Sequence, residues 1–223
     1  TGTDVERVIE AAKAVAVPQD RTVLHVIPRE YKVDDQDGIL DPIGMSGIRL
    51  EANCHIITGL ITAANNIHKC VTKAGLKPID LVLEPLASAE AVLTEEEKEA
   101  GVVLVDIGGG TTDVAIFQDG IIRHTAVIPF GGNVITEDIK EGCTIIRSQA
   151  ELLKIKFGSA LAKQMKDNEI VSIPGLRGRE PKEISVKNLA SIIQARMEEI
   201  IENVYYEIRN SGFEKKLIAG IVI

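Results

Sequence analysis

Apolar and polar residues alternate along this chain in two periods, and the switches between them mark its elements. Val5, Ile9, Ala12 and Val15 recur at helical spacing, with Asp4 as candidate N-cap and Pro18 as the stop. Residues 22–28 and 48–58 read as strands from their β-branched content and partial alternation. The turn-rich segment 35–47 between them reads as a connection, not a core element. Residues 62–74 form a helical pattern closed by Gly75, which suits a left-handed cap. A short apolar strand is predicted at 79–84, followed by Pro85 where a helix can open. The acidic run 95–99 reads as a solvated face or linker. Residues 102–107 are apolar almost throughout, as in a central strand buried on both faces. Strands at 113–117 and 121–128 flank Asp119-Gly120, a hairpin signal. Three helical stretches follow; the clearest is 186–209, where Val186, Leu189, Ile192, Ile193, Met197, Ile200, Ile201, Val204 and Ile208 keep three-four spacing opposite a charged face. Gly175-Leu-Arg-Gly-Arg-Glu-Pro181 reads as a mobile basic loop.

Composition narrows the function classes. The 223 residues, 45 % of them hydrophobic, are enough for one large domain or two modest ones. Twenty-five Lys and Arg against 33 Asp and Glu leave a net charge of −8, which disfavours nucleic acid and anionic membranes as direct partners. Aromatic residues at 3 %, with no Trp, are too few for a stacking-based binder of single strands or sugars. Cys54, Cys70 and Cys143 are odd in number, widely spaced and without a CxxC pair, a usage that points to a reducing cytoplasm. No signal-peptide pattern opens the chain and no apolar run reaches transmembrane length.

The chemistry concentrates in Asp106-Ile-Gly-Gly-Gly-Thr-Thr-Asp113, which leaves the buried strand directly. Successive glycine amides in such a turn make a nest suited to phosphate oxygens. Asp106 and Asp113 bracket the loop at the end of one strand and the start of the next, where both can face a magnesium ion directly or through its waters. Thr111 and Thr112 add hydroxyls. The competing reading is a tight hairpin with solvated turn residues. No Gly-Lys-Ser/Thr ends the run, so it is not a Walker loop; a strand follows instead of a helix, so it is not a dinucleotide fingerprint.

This strand–glycine loop–strand unit resembles the second phosphate motif of the actin, heat-shock chaperone and sugar kinase superfamily. Glu84-Pro-Leu-Ala-Ser-Ala89 resembles the segment that opens its connecting helix. The chain further resembles the bacterial cell-division actins of the FtsA family through five blocks in order: residues 23–28, Gly38-Ile-Leu-Asp-Pro-Ile-Gly-Met-Ser-Gly-Ile-Arg-Leu50, His55-Ile-Ile-Thr58, Val127-Ile-Pro-Phe-Gly-Gly-Asn-Val134 and Ala219-Gly-Ile-Val-Ile223.

That resemblance implies an actin-like, ribonuclease H-like α/β fold carrying the family's inserted α+β domain. The inserted domain would occupy 1–59, without its first strand; the returning part of the first lobe with the connecting helix 60–94; the core of the second lobe 95–132 and 214–223; and its outer subdomain 133–213. The first phosphate loop and the adenosine motif would lie outside this segment, as would the C-terminal membrane helix. The apolar run 217–223 reads as a central strand just before its ligand-binding turn.

The resemblance also implies ATP or ADP with Mg2+ as ligand. Gly108, Gly109, Gly110 and Thr111 would hold the terminal phosphates, with Thr112 within reach, and Asp106 and Asp113 the metal through water. Gly131, Gly132 and Asn133 match a turn beside the nucleotide, or form a plain strand-to-helix turn. Glu151 and Lys154 match ribose and base contacts, although Glu151 also fits a capping box with Ser148. Glu84 matches the acid that orients the attacking water, or is a strand-end residue satisfied by backbone. Arg196 and Glu199 match exposed positions that bind FtsZ, or belong to an ordinary solvated helix face. His25, His55, His68 and His124 share no spacing and read as structural.

Two functions of different class follow. One is a polymerising adaptor that tethers FtsZ filaments to the cytoplasmic membrane at the septum and recruits later division proteins through the inserted domain. Its nucleotide acts as a conformational ligand and its turnover is slow at most. The other is an ATPase whose product matters, of the type IV pilus assembly or chaperone kind; a sugar kinase is disfavoured because the sequence offers no evident acid for a sugar hydroxyl.

Overall fold

The computed structural model describes residues 1–175 and 180–223, so the centre of the expected basic loop at 175–181 lies outside the described residues. The chain divides into two compact units: 1–102 with 115–124 and 216–220, and 103–114 with 125–215 and 221–223.

The first unit opens with helix α1 (Gly2–Lys13), whose N-cap is Thr1. Asp4 is therefore not the cap but the third helical residue, where its carboxylate accepts from the Thr1 hydroxyl at 2.6 Å. A cap must precede the first turn, and the apolar period alone placed that start too late. α1 packs on strands β1 (Arg21–Val33) and β3 (Leu50–Leu60), which pair antiparallel from Val33↔Leu50 to Arg21↔Leu60. β1 outruns the segment predicted for it at 22–28, whereas β3 lies two residues later than the predicted 48–58. Pro28, which has no amide hydrogen, is tolerated in β1 beside a register irregularity between Pro28 and Glu30.

The segment read as a bare connection contains a short third strand, β2 (Gln36–Ile39), paired with β1 through Tyr31↔Ile39 and Val33↔Gln36. The two-residue turn Asp34-Asp35 makes this hairpin, and Asp34, at φ 53°, accepts the amides of Ile48 and Arg49 at 3.0 and 2.8 Å.

Helix α2 (Ile61–Lys73) ends as predicted. Gly75 is left-handed at φ +80°, its amide meets Thr72 O and the Leu76 amide meets Val71 O, the paired bonds of a Schellman motif. The strand predicted at 79–84 does not form: 76–83 has no ladder partner among the described residues, and Ile79 is 95 % exposed. An apolar pattern proposes a strand, but a neighbouring strand must satisfy its backbone. Glu84 instead begins helix α3 (Glu84–Val92), with Pro85 in its first turn.

The acidic run is neither linker nor bare solvated face but a helix, α4 (Glu95–Ala100), started by a reciprocal capping box. The Glu97 amide donates to Thr94 Oγ1 at 3.2 Å and the Thr94 amide to Glu97 Oε2 at 2.8 Å. Lys98 is buried, its ammonium 2.9 Å from both Glu90 and Glu95. Thr94→Ala is expected to cost about 1 kcal/mol, read as a lower urea midpoint at unchanged slope.

Strands β4 (Val102–Ile107), β5 (Thr112–Gln118), β6 (Ile121–Ile128) and β9 (Gly220–Val222) form a four-stranded sheet in the order β6-β5-β4-β9. Val102 to Val105 are buried, as the apolar run predicts. Asp119 and Gly120, at φ 55° and 71°, make the predicted hairpin turn between β5 and β6.

The second unit holds helices α5 (Gly132–Cys143), α6 (Arg147–Phe157) and α7 (Val186–Asn210). Between α6 and α7 lies an antiparallel pair that the periodicity did not separate, β7 (Ile170–Ile173) and β8 (Lys182–Ser185), in register Ile170↔Ser185 to Ile173↔Lys182. Four-residue strands show only two apolar alternations each, too few to stand out. One core joins all five elements through Ile135, Ile139, Ala150, Leu153, Ile173, Ile184, Leu189, Ile193 and Ile200. Each such buried aliphatic side chain contributes about 1.5–3 kcal/mol, which makes this core a rigid base for the turns at its edge.

Candidate functional site

β4 delivers Asp106 to its end and the chain then runs through Gly108–Gly110 and Thr111 in the open, all four exposed. The loop closes on itself through the Gly108 amide, 2.9 Å from Thr111 O. Two further bonds join it to the start of α5: the Gly132 amide donates to Gly108 O at 2.9 Å, and the Asn133 amide to Gly109 O at 2.8 Å. The helix's first donors, which would otherwise be orphaned, are thus consumed by loop carbonyls.

With its carbonyls turned to α5, the loop leaves the amides of Gly109, Gly110 and Thr111 without an acceptor among the described residues. Three successive unsatisfied donors form a nest for an anion. The first of the two glycine turns therefore keeps donors uncommitted, while Gly132 and Asn133 of the second hold the first in place. Gly131 has no room for a side chain, since a Cβ there would stand 2.3 Å from Gly108 O and 2.8 Å from Thr111 O.

Asp113, at the start of β5, is 8 % exposed. Burial raises its pKa above the usual carboxylate value; the Thr111 hydroxyl, 3.1 Å from Oδ2, opposes this, and the charge of Asp106 adds to it. Two acids facing each other with one desolvated are chemically suited to a divalent cation. They are too few to cage one, and no group of three or more acidic, His or Cys ligands occurs among the described residues. Such a donor pair would suit Mg2+, which keeps most of its waters and would supply charge neutralisation to an anion bound beside it.

A folded pKa above the unfolded one means that Asp113 costs stability once pH rises past about 4. That cost grows up to its folded pKa and stays constant above it. Asp113→Asn is therefore expected to raise Tm by about 3 °C at pH 7 without divalent cation, with the gain vanishing below about pH 4. Thermal unfolding across that range measures both ends.

Thr112 sits differently from its neighbour. Its side chain is fully buried and its hydroxyl donates to Phe130 O at 3.0 Å, so it braces the strand and Thr111 alone presents a hydroxyl beside the loop.

On α6 the expected pair Glu151 and Lys154 faces the first turns of α5. The capping box with Ser148 is not formed: the N-cap of α6 is Ile146, which makes Ser148 the second helical residue. Lys154 Nζ donates to Gly132 O at 3.0 Å and to Thr136 Oγ1 at 2.7 Å, and pairs with Glu151 Oε2 at 2.8 Å. The Thr136 hydroxyl in turn donates to the same Oε2. These two bonds, Lys154 first, hold the Glu151 carboxyl below its ordinary pKa. All three lysine hydrogens are engaged, whereas Glu151 keeps Oε1 for a hydroxyl. Lys154 is thus committed to protein acceptors, while Glu151 is engaged through Oε2. Thr136, 1 % exposed, was not legible as part of this cluster because a lone helical threonine carries no motif.

Glu84 lies in the first unit, exposed, as the first residue of α3, where the preceding Leu83 amide donates to His25 Nε2 at 3.0 Å. Glu199 is half exposed as expected on α7; Arg196 is only 25 % exposed, because it reaches back to Asp138 on α5.

Comparisons with known proteins agree with this architecture. A family model described as "Cell division protein FtsA" matches residues 103–222, and one described as "SHS2 domain inserted in FTSA" matches residues 1–58. The chain is 49 % identical over 220 residues to the cell division protein FtsA of Pseudomonas aeruginosa, covering 99 % of this chain and 53 % of that protein. It is 44 % identical over 230 residues to the FtsA of Escherichia coli (100 % and 55 %) and 41 % over 209 residues to that of Bacillus subtilis (94 % and 48 %). The chain thus spans about half the length of these curated relatives. Among solved structures, MreB5 of Spiroplasma citri bound to ADP superposes with a TM-score of 0.54 at 23 % identity, covering 68 % of this chain and 49 % of that one. The PilM-PilN type IV pilus biogenesis complex superposes with 0.51 at 18 % identity, covering 70 % and 44 %. These two likenesses show an actin-like fold. With the family model matching more than half its residues and the inserted-domain model matching its first 58, the chain belongs to the cell division protein FtsA family.

Proposed function

We propose that this chain forms the nucleotide-phosphate-binding part of a cell-division actin homologue that polymerises and tethers FtsZ filaments to the inner face of the cytoplasmic membrane at the septum. The observation that carries the ligand is the run of three acceptor-free amides, Gly109 to Thr111, flanked by Asp106 and Asp113. MreB5 structures holding ADP and AMPPNP support a nucleotide as the anion. In this reading the amides would hold the terminal phosphates, the Thr111 hydroxyl would join them once it turns from Asp113, the two aspartates would hold Mg2+ through its waters, and Glu151 Oε1 would accept from the ribose with Lys154 bracing it near the base. When bound, the metal supplies charge neutralisation for the phosphates.

The nucleotide acts chiefly as a conformational ligand, favouring the polymerising state through differential affinity. Hydrolysis is at most slow, with Glu84 as the candidate for orienting water. Arg196 and Glu199 face FtsZ, residues 1–59 form the inserted domain that recruits later division proteins, and a C-terminal amphipathic helix supplies the membrane contact; no helix here is long and apolar enough to cross a membrane among the described residues. Residues 60–94 return to the first lobe, 95–132 with 214–223 build the core of the second, and 133–213 its outer subdomain. Nucleic acid has no place in this scheme. The pilus-type ATPase alternative has only a fold likeness at 18 % identity behind it.

Co-sedimentation with FtsZ polymers and anionic vesicles, with and without Mg·ATP, tests the proposal. ATP-dependent recruitment is the expected result. Brisk turnover yielding a phosphorylated small molecule overturns it in favour of an enzyme.

A further inference from the structure

Arg196 is held more tightly than an exposed recognition residue needs to be. Its Nε donates to Asp138 Oδ2 at 2.6 Å and its Nη2 to Oδ1 at 3.0 Å, a two-pronged pair across 58 residues that joins α7 to α5. Asp138 raises the Arg196 pKa further, so the charge is permanent. Nη1 points the other way, to the Glu199 carboxylate one turn along α7. Both members of the Asp138 pair are about three-quarters buried, whereas Glu199 is 50 % exposed. A planar guanidinium gripped along one edge has given up its rotamer freedom before any partner arrives, which lowers the entropic cost of binding.

We propose that Asp138 is the positioning residue of the partner surface: it fixes the Arg196 guanidinium so that its Nη1 edge meets an acidic side chain of the partner. This rests on the reading above, in which Arg196 and Glu199 face FtsZ. Glu199 occupies the Nη1 edge in the free protein, and the partner's acid displaces it, leaving the Glu199 carboxylate to turn into solvent or to a partner base. A guanidinium only donates hydrogen bonds, so the partner group is an acceptor, and it is a carboxylate because it must displace the charged Glu199 carboxylate from Nη1. Against a net charge of −8, an acidic segment is repelled by the chain as a whole, so the attraction must be local to this edge.

A double-mutant cycle with purified FtsZ polymers as the probe, read by co-sedimentation at fixed salt, tests this. Arg196→Ala is expected to weaken binding about tenfold or more, and Asp138→Asn, which keeps shape but lets the guanidinium rotate, about fivefold. Asp138→Glu recovers most of the loss, and the double variant Asp138→Asn, Arg196→Ala binds no worse than Arg196→Ala alone. A merely structural role for Asp138 would instead add its own loss in the Arg196→Ala background, and that result overturns the inference. Wild-type binding by Asp138→Asn alongside loss in Arg196→Ala overturns the inference and leaves the partner surface standing. Wild-type binding by Arg196→Ala overturns both.

Discussion

Gly131→Ala is expected to destabilise the second unit by about 3 kcal/mol, lowering its unfolding midpoint by about 10 °C. The added Cβ would stand 2.3 Å from Gly108 O and 2.8 Å from Thr111 O, both backbone atoms that no rotamer change can move. The glycine loop must then shift, and the bonds from the Gly132 and Asn133 amides to its carbonyls are strained or lost. Nucleotide affinity is expected to fall with it, by about tenfold or more, because the loop that carries the three acceptor-free amides is held in place by that brace. Gly110→Ala is the control, since a Cβ there meets nothing within 4 Å. It should unfold within about 0.5 kcal/mol of the parent yet lose affinity, because its methyl occupies the side of the loop open to ligand. Calorimetric unfolding and nucleotide titration of the pair separate the brace from the cradle. Equal Tm for Gly131→Ala and the parent would contradict the packing argument.

Asp106→Ala should leave the fold intact and weaken Mg·ATP binding by about 10–100-fold, the usual cost of removing a carboxylate that holds a metal's water shell. Stability is expected to change little because the change removes one of two mutually repelling acids at a position only partly buried, beside desolvated Asp113. The loss should shrink when Mg2+ is chelated, since the metal mediates the contact. ATP-dependent polymerisation should fall in parallel, if the nucleotide holds the polymerising state. Magnesium-independent loss would relocate Asp106 from the metal to the loop's own architecture, and unchanged affinity would sink the metal assignment.

The elements legible in the sequence were those whose cause is local. The three-four spacing of Leu189, Ile193, Ile200 and Val204 makes one helix face wherever the chain folds, and that face is buried in the core of the second unit. Asp119-Gly120 turns a hairpin because both residues accept positive φ, and Gly75 ends α2 for the same reason. The glycine loop announced its chemistry through residue type alone. Readings that failed needed a neighbour: 79–84 lacked a ladder partner, Asp4 was displaced from the cap by Thr1, and the acidic run became a helix through a box closed by Thr94 and Glu97.

The sequence by itself determined the family and most of the alternation of helix and strand, and it marked the glycine loop and its two aspartates as candidates for phosphate and cation chemistry, because these depend on side-chain chemistry and short-range spacing. Only the tertiary structure decided which of those groups are available. Thr111 and Thr112 are adjacent and identical, yet the first lies exposed with its hydroxyl on the Asp113 carboxylate while the second is buried with its hydroxyl on Phe130 O. Lys154 and Glu151 both match ligand positions, but Thr136 and Gly132 O convert the lysine into a brace and leave the acid open. Arg196 matches an exposed site and is instead clamped by Asp138 from another helix. Hydrogen-bonding capacity is written in the residue, but its commitment depends on what the fold brings within about 3 Å.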